Sequence, residues 1–168
     1  MARKDPYTSG HEKRVSILAC DIARKMGLSK NRIDSIRFAG LLHDIGKISV
    51  PAEILTKPGI LSEAEFSIIK THSQTGYEIL KEIPFDGPVA QIVLQHHEKL
   101  DGTGYPNGLF GDDILLEAKI ITVADVVEAI SSHRPYRPSR GIDAAEKEII
   151  ENSGKLYDPA VVNAYFKK

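Results

Sequence analysis

The sequence contains a single cysteine, and none of its apolar runs approaches the ~18 residues that a membrane span needs. One cysteine excludes a disulfide framework and a zinc site built of cysteines alone. A formal net charge of -1 gives the chain no basic field that would attract DNA or a membrane surface. The N-terminal residues lack the apolar core of a signal peptide. We therefore expect a cytoplasmic protein, or a cytoplasmic part of a longer one.

The 168 residues suit one domain, and their apolar spacing is helical. Apolar residues recur every three or four positions from Val15 to Met26, and none of the chain shows the alternation and hairpin turns of a β-sheet. The sequence therefore predicts an all-α, single-domain helical bundle over residues 1–168. Further helices are predicted after Ser29, over 51–55, from the capping box Ser62–Glu65 to about Ser73, from there to Ile83, from Pro88 to His97, over 114–130, over 143–152 and after the N-cap Asp158.

Polar residues occur at the ends and in the middle of these apolar helices. His43 and Asp44 directly follow an apolar run, and Lys47 comes one turn later. A core histidine paired with its neighbouring aspartate would explain the first two, but not all three. Asp125 interrupts the nearly all-apolar segment 114–130, where a buried carboxylate costs several kcal/mol unless it is paired or bound to a cation. These positions are candidates for a site rather than for packing.

The remaining candidates are histidines. His96 and His97 follow an apolar run, which favours a cleft, although adjacent helical residues point ~100° apart and can converge only where the helix ends. His11 and His72 are ordinary when each is taken alone. Nitrogen and carboxylate ligands without thiolate suit iron, manganese, nickel or cobalt, with zinc also open. Seven side chains are too many for one ion with an open position, and they fit two ions that share Asp44: His11, His43, Asp44, His72, His96, His97 and Asp125.

At this point the motifs resemble those of the HD-GYP subgroup of the HD phosphohydrolases. The resemblance spans nearly the whole chain, in order and at the family's spacing, and its most specific part is the segment 96–106, HHEKLDGTGYP. The other matching motifs are residues 5–8 with His11, 43–47, 57–59, 70–72 with Gly76, 123–125 and 133–137.

The resemblance implies an all-helical fold and hydrolysis of a 3′–5′ phosphodiester, usually in cyclic di-GMP, to linear pGpG or GMP. It implies two divalent metal ions that activate a shared water. Catalytic roles would fall to Asp44 and Lys47, the latter stabilising phosphoryl charge in the transition state. By position, the first metal would take His11, His43, Asp44 and Asp125, the second would take Asp44, His72, His96 and His97, and substrate would meet Lys47, Tyr105, Arg134 and Arg137.

One departure and several alternatives remain. Some members of the subgroup place a glutamate four residues before the first histidine ligand and bind a third metal. This chain has Tyr7 there, so we expect two metals. Asp5 lies near enough in the sequence to leave open that it takes the place of the glutamate. Iron or manganese is favoured. The chain also fits an HD hydrolase of another cyclic dinucleotide or nucleotide, or a non-catalytic module that binds the messenger or a diguanylate cyclase of GGDEF type. The sequence leaves the oligomeric state open.

Overall fold

The computed structural model describes residues 8–132 and 141–167, and within those ranges it is built of helices and turns without a strand. The prediction of an all-α fold is confirmed. The helices are α1 (Thr8–Lys25), α2 (Lys30–Leu42), α3 (Ala52–Leu55), α4 (Glu63–Leu80), α5 (Val89–Gln95), α6 (Leu116–Ser131), α7 (Ile142–Glu151) and α8 (Pro159–Phe166), with short 3₁₀ turns at Ile45–Ser49 and Gly111–Asp113.

Helix α6 lies at the centre of the bundle, as its apolar composition predicts. It packs against α1, α2, α5, α7 and α8. Its residues Ile120, Ile121 and Val123 are completely buried, and so are Val15 and Ile22 of α1. An apolar helix loses contact with water on several sides at once only in such a central position. Because α6 touches most of the other helices, a side chain on it can meet groups that are far apart in the sequence.

Two helix starts predicted from capping residues are confirmed. The Ser62 hydroxyl accepts the Glu65 N–H at 3.3 Å, while the Glu65 carboxylate accepts the Ser62 N–H at 2.8 Å. Asp158 accepts the N–H of Ala160 at 2.9 Å at the start of α8. These bonds satisfy N–H groups that the first turn of a helix leaves without partners.

The predicted division of residues 62–83 into two helices is wrong. One helix, α4, runs without a break from Glu63 to Leu80. Ser73 and Gly76 weaken the helical pattern in the sequence, but both are buried on one side of α4. Gly76 is needed there for packing, since a Cβ atom on it would lie 2.9 Å from a methyl group of Val93. Tertiary contact thus outweighs the low helix propensity of these residues.

A close backbone contact positions the 3₁₀ turn Ile45–Ser49 against α4. A Cβ atom on Gly46 would lie 1.9 Å from the carbonyl oxygen of His72, so only glycine fits at this point. The contact brings the turn that follows His43 and Asp44 directly beside the helix that carries His72. In the described ranges, no helix is both long and apolar enough to cross a membrane.

Candidate metal centre

Three side chains from three helical elements form the first cluster. His11 lies on α1, His43 follows the last residue of α2, and Asp125 lies on α6. The Nε2 atom of His11 is 3.1 Å from Oδ1 of Asp125, and Nε2 of His43 is 3.9 Å from the same oxygen. The three ligand atoms are close enough together to hold one metal ion. Asp125 is less buried than its sequence setting predicts, since 15% of its side chain is exposed at the edge of the cluster.

The second cluster joins α4 to the end of α5. Nε2 of His72 lies 3.4 Å from Nε2 of His96, and the ring centroids of His96 and His97 are 4.0 Å apart. These three histidines could also hold a metal ion. Helix α5 ends at Gln95, so the side chains of His96 and His97 are not forced ~100° apart as they would be inside a helix. The Thr122 hydroxyl of α6 donates to the His96 carbonyl at 2.7 Å, which fixes the helix end to the central helix.

Asp44 lies between the two clusters. Its Oδ2 atom is 3.7 Å from Nε2 of His43, and its Oδ1 atom is 3.5 Å from Nε2 of His72. Each carboxylate oxygen therefore faces a different cluster. Such an arrangement suits a carboxylate that contributes one oxygen to each of two neighbouring ions.

Hydrogen bonds hold three of the histidines with Nε2 toward the centre. The Nδ1 atoms of His43, His72 and His96 lie 2.9, 2.7 and 2.6 Å from the carbonyl oxygens three residues earlier in the chain. A carbonyl can only accept, so each Nδ1 carries the proton and each Nε2 carries a lone pair. Metal-binding histidines use their second nitrogen in this way.

The Nε2 atom of His43 is buried and has no hydrogen-bond partner among the described residues. Leaving a buried polar group unpaired costs about 1–3 kcal/mol. The lone pair of this nitrogen points into a space that it shares with carboxylate oxygens, which are acceptors only. A bound cation would satisfy the nitrogen and both carboxylates together, so the donor set fits a metal ion.

The charges in the centre also suit a cation. Burial lowers the pKa of His72 and that of His96, and it lowers the pKa of His97 to about 3, so these imidazoles are neutral at pH 7. Burial alone would raise the pKa of Asp44, but the neighbouring Lys47 and histidines hold it well below its usual range. Neutral imidazoles and an ionised carboxylate are the forms that bind metal.

His11 differs from the other histidines because two carboxylates flank it. Burial by itself would lower its pKa, but hydrogen bonds to Asp125 and Glu128 raise the pKa to about 9. Burial by itself would raise the pKa of Asp125, but the hydrogen bond with His11 and the nearby His43 hold it far below its usual range. At pH 7 His11 is therefore positively charged between two ionised carboxylates.

Lys47 and Tyr105 lie beside the clusters. The Lys47 ammonium group is 2.6 Å from Oδ2 of Asp44 and remains 25% exposed. The Tyr105 ring lies 4.7 Å from the ring of His97 and is tilted by 32° to it. Lys70 lies over the Tyr105 ring at 5.6 Å from its centroid. A cation and an aromatic face thus border the predicted ligands. Arg134 and Arg137, like Asp5 and Tyr7, lie outside the described residues, so their roles stay predictions.

Two buried glutamates near the site, Glu98 and Glu128, were given no role in the prediction from the sequence. Glu98 accepts the backbone N–H groups of Asn107 at 2.7 Å and Leu109 at 3.0 Å, and so shapes the loop that carries Tyr105. Glu128 accepts hydrogen bonds from His11 and Arg14. The position of Glu128, one turn after Asp125 on the same helix face, was the available signal.

Comparison with known proteins agrees with this architecture. A family model described as HD domain matches residues 1–161. A cyclic di-GMP phosphodiesterase of Thermotoga maritima is 44% identical over 168 residues, which cover 98% of this chain and 45% of the relative. A 3′3′-cGAMP-specific phosphodiesterase of Vibrio cholerae, numbered 3 in its name, is 44% identical over 156 residues, which cover 93% of this chain and 34% of the relative. The chain spans less than half the length of these curated relatives.

A solved structure shares the fold. Bd1817, an HDG"Y"P protein from Bdellovibrio bacteriovorus, superimposes with a TM-score of 0.78 at 23% sequence identity, over 96% of this chain and 52% of that chain. The similarity extends over nearly all of the helical bundle described above. At this sequence identity the similarity shows a shared arrangement of the helices and nothing more.

Proposed function

The chain belongs to the HD domain family, and from this premise we propose that it is a metal-dependent phosphodiesterase that hydrolyses cyclic di-GMP. The observation that carries the proposal is the pair of ligand clusters with Asp44 between them. A relative named cyclic di-GMP phosphodiesterase is 44% identical over 98% of this chain. Such a reaction would take place in the cytoplasm, and a GGDEF-type diguanylate cyclase, which makes the substrate, is the partner that its chemistry suggests.

We propose two divalent ions, with iron or manganese favoured and nickel, cobalt or zinc as alternatives. His11, His43 and Asp125 would hold one ion, His72, His96 and His97 the other, and Asp44 would contact both. When bound, two such ions activate water as a nucleophile and stabilise the charge on a phosphodiester undergoing displacement. The donor set supports this, because it combines imidazole and carboxylate and includes no thiolate.

The chain's own residues provide the remaining parts of the reaction. The Nδ1–carbonyl bonds hold three imidazoles in place, so that they need not reorganise during the reaction. Lys47 places its ammonium group beside Asp44, where it can meet the negative charge that develops on phosphoryl oxygens. We retain Arg134 and Arg137 as proposed contacts to phosphate and guanine.

Tyr105 is the proposed contact for a purine base. Its backbone N–H donates to the His97 carbonyl at 3.2 Å, which fixes the start of its loop to the metal centre. Phe66 lies at 6.3 Å from it in an edge-to-face arrangement, and Lys70 lies near both rings. Flat aromatic rings next to the reacting centre suit a base attached to the phosphodiester.

We expect Tyr105→Ala to raise KM for cyclic di-GMP by about 10-fold to 100-fold, because stacking on one base contributes roughly 1–3 kcal/mol. Metal content should stay at the wild-type level, since Tyr105 contributes no predicted ligand. The control is Tyr105→Phe, which keeps the ring and should keep KM close to that of the wild type. Steady-state kinetics on both variants check this, and an unchanged KM in Tyr105→Ala would exclude a base contact.

The experiment that tests the proposed function measures turnover directly. The protein is loaded with iron, manganese, nickel or cobalt and incubated with cyclic di-GMP, and pGpG and GMP are followed by chromatography. We expect metal-dependent formation of linear product that stops when a chelator removes the ions. Absence of product with all four metals would contradict the proposal.

A second candidate is hydrolysis of 3′3′-cGAMP, which is favoured by the 44% identity to a phosphodiesterase named as specific for it. The two substrates differ in one base, so the metal centre cannot distinguish them and the base contacts must. Values of kcat/KM for the two substrates on the same protein sample decide between them. Binding of either messenger without turnover would instead indicate a non-catalytic module.

A further inference from the structure

Glu128 is a buried carboxylate that faces the metal centre without being one of its predicted ligands. It lies on α6, is 5% exposed, and comes one turn after Asp125. One of its oxygens accepts a hydrogen bond from Nδ1 of His11. The other accepts from Nε of Arg14 at 2.6 Å and from the Ser132 hydroxyl at 2.7 Å.

The Nδ1 atom of His11 has a different kind of partner from the Nδ1 atoms of three other histidines in the centre. Those histidines direct Nδ1 to a carbonyl three residues earlier, whereas His11 directs Nδ1 to a carboxylate on another helix. With Nδ1 held in this way, Nε2 of His11 points at Asp125, 3.1 Å away. A carboxylate that accepts a hydrogen bond from a metal-binding histidine orients the ring and makes its other nitrogen a better metal ligand.

We propose that Glu128 is a positioning residue for the first metal site, acting through His11. This inference rests on the proposed function, because it takes His11, His43 and Asp125 as ligands of a metal ion. Loss of the carboxylate should weaken metal binding at this site and leave the site of His72, His96 and His97 unaffected. Removal of such a partner typically costs about 10-fold to 100-fold in metal affinity.

A purely structural role is the competing explanation, since Glu128 also binds Arg14. The Arg14 side chain is 53% exposed, and an ion pair with so exposed a partner contributes little to stability. Glu117 provides a matched control for such a role. It lies on the same helix, is also buried, and accepts a hydrogen bond from Nε of Arg32 at 2.6 Å, but it forms no hydrogen bond or ion pair with a histidine of the described residues.

The experiment titrates metal-free protein with Mn²⁺ by calorimetry and compares wild type, Glu128→Gln, Glu117→Gln, Arg14→Ala and His11→Ala. We expect Glu128→Gln to weaken by about 10-fold to 100-fold the same binding step that His11→Ala weakens. The other step should keep the wild-type affinity. Glu117→Gln and Arg14→Ala should bind Mn²⁺ like the wild type, and circular dichroism checks that each variant is folded.

The double variant separates positioning from structural support. If Glu128 acts through His11, Glu128→Gln should cause no further loss of Mn²⁺ affinity when His11 is already alanine. An additional loss there, equal weakening of both steps, or an Arg14→Ala protein that behaves like Glu128→Gln would overturn the inference. If Glu128→Gln does not fold, Glu128→Asp, which withdraws the carboxylate by one methylene group, should weaken the same step, and wild-type affinity there would also overturn it.

The titration also distinguishes this inference from the proposed function. Wild-type protein that binds two Mn²⁺ ions while Glu128→Gln binds them equally well would refute the role of Glu128 alone. Wild-type protein that binds no Mn²⁺ or other divalent ion would refute the metal centre and the role of Glu128 together. Neither result depends on measuring turnover.

Discussion

Replacement of Asp44 by alanine is expected to remove both metal ions and to lower turnover by more than about 10³-fold. Metal ions supply several kcal/mol of transition-state stabilisation, and each 1.4 kcal/mol that is lost lowers the rate by a factor of ten. Asp44 has this effect because its two oxygens face different clusters, at 3.7 Å from His43 and 3.5 Å from His72. Its loss also leaves Lys47 without the carboxylate that it contacts.

The measurement is metal content by elemental analysis together with kcat, both on the same purified sample. His72→Ala is the informative comparison, since it removes a predicted ligand of the second cluster alone and should mainly weaken the binding of one ion. Asp34→Ala is the matched control. Asp34 is an aspartate of α2 that pairs with Lys30 and Arg37 at the surface, so its replacement should leave metal content and turnover unchanged. Full occupancy by both ions in Asp44→Ala would contradict a shared carboxylate.

Much of the site was predictable because its residues lie in short motifs with fixed local geometry. His43 and Asp44 are adjacent in the sequence at the end of an apolar run, and Lys47 follows one turn later, so these polar residues indicate a site. His96 and His97 could be assigned to a cleft from the apolar residues before them. Their convergence depended on where α5 ends, and the structure places that end at Gln95, earlier than the sequence pattern indicates.

The parts that were missed depend on long-range contacts. His11 and Glu128 are 117 positions apart, and no periodicity in α1 indicates which residue of α6 it will face. The continuity of α4 has the same origin. Gly76 disfavours a helix locally, but its contact with Val93 allows α4 and α5 to approach closely, and that packing is invisible in the sequence.

Replacement of Lys47 by alanine is expected to lower kcat by about 10²-fold to 10³-fold, the usual loss when one preorganised donor to a developing charge is removed. Its ammonium group lies 2.6 Å from Oδ2 of Asp44 and is partly open to solvent, so it borders the centre without being a ligand. A substrate phosphoryl group beside Asp44 would therefore lie within reach of Lys47. Metal content should stay at the wild-type level, because the histidines and aspartates are all retained.

The contact with Asp44 gives Lys47 a second conceivable role, which is to hold that carboxylate in place for the metals. The two roles predict different results when metal content and kcat are measured on one sample of Lys47→Ala. Stabilisation of phosphoryl charge predicts full metal content with slow turnover. Support of Asp44 predicts that turnover falls only in proportion to the metal that is lost. Lys81→Ala is the control, since Lys81 pairs with Glu78 near the end of α4 and should leave both quantities unchanged. A proportional fall in Lys47→Ala would refute its role in the transition state and assign it to the support of Asp44.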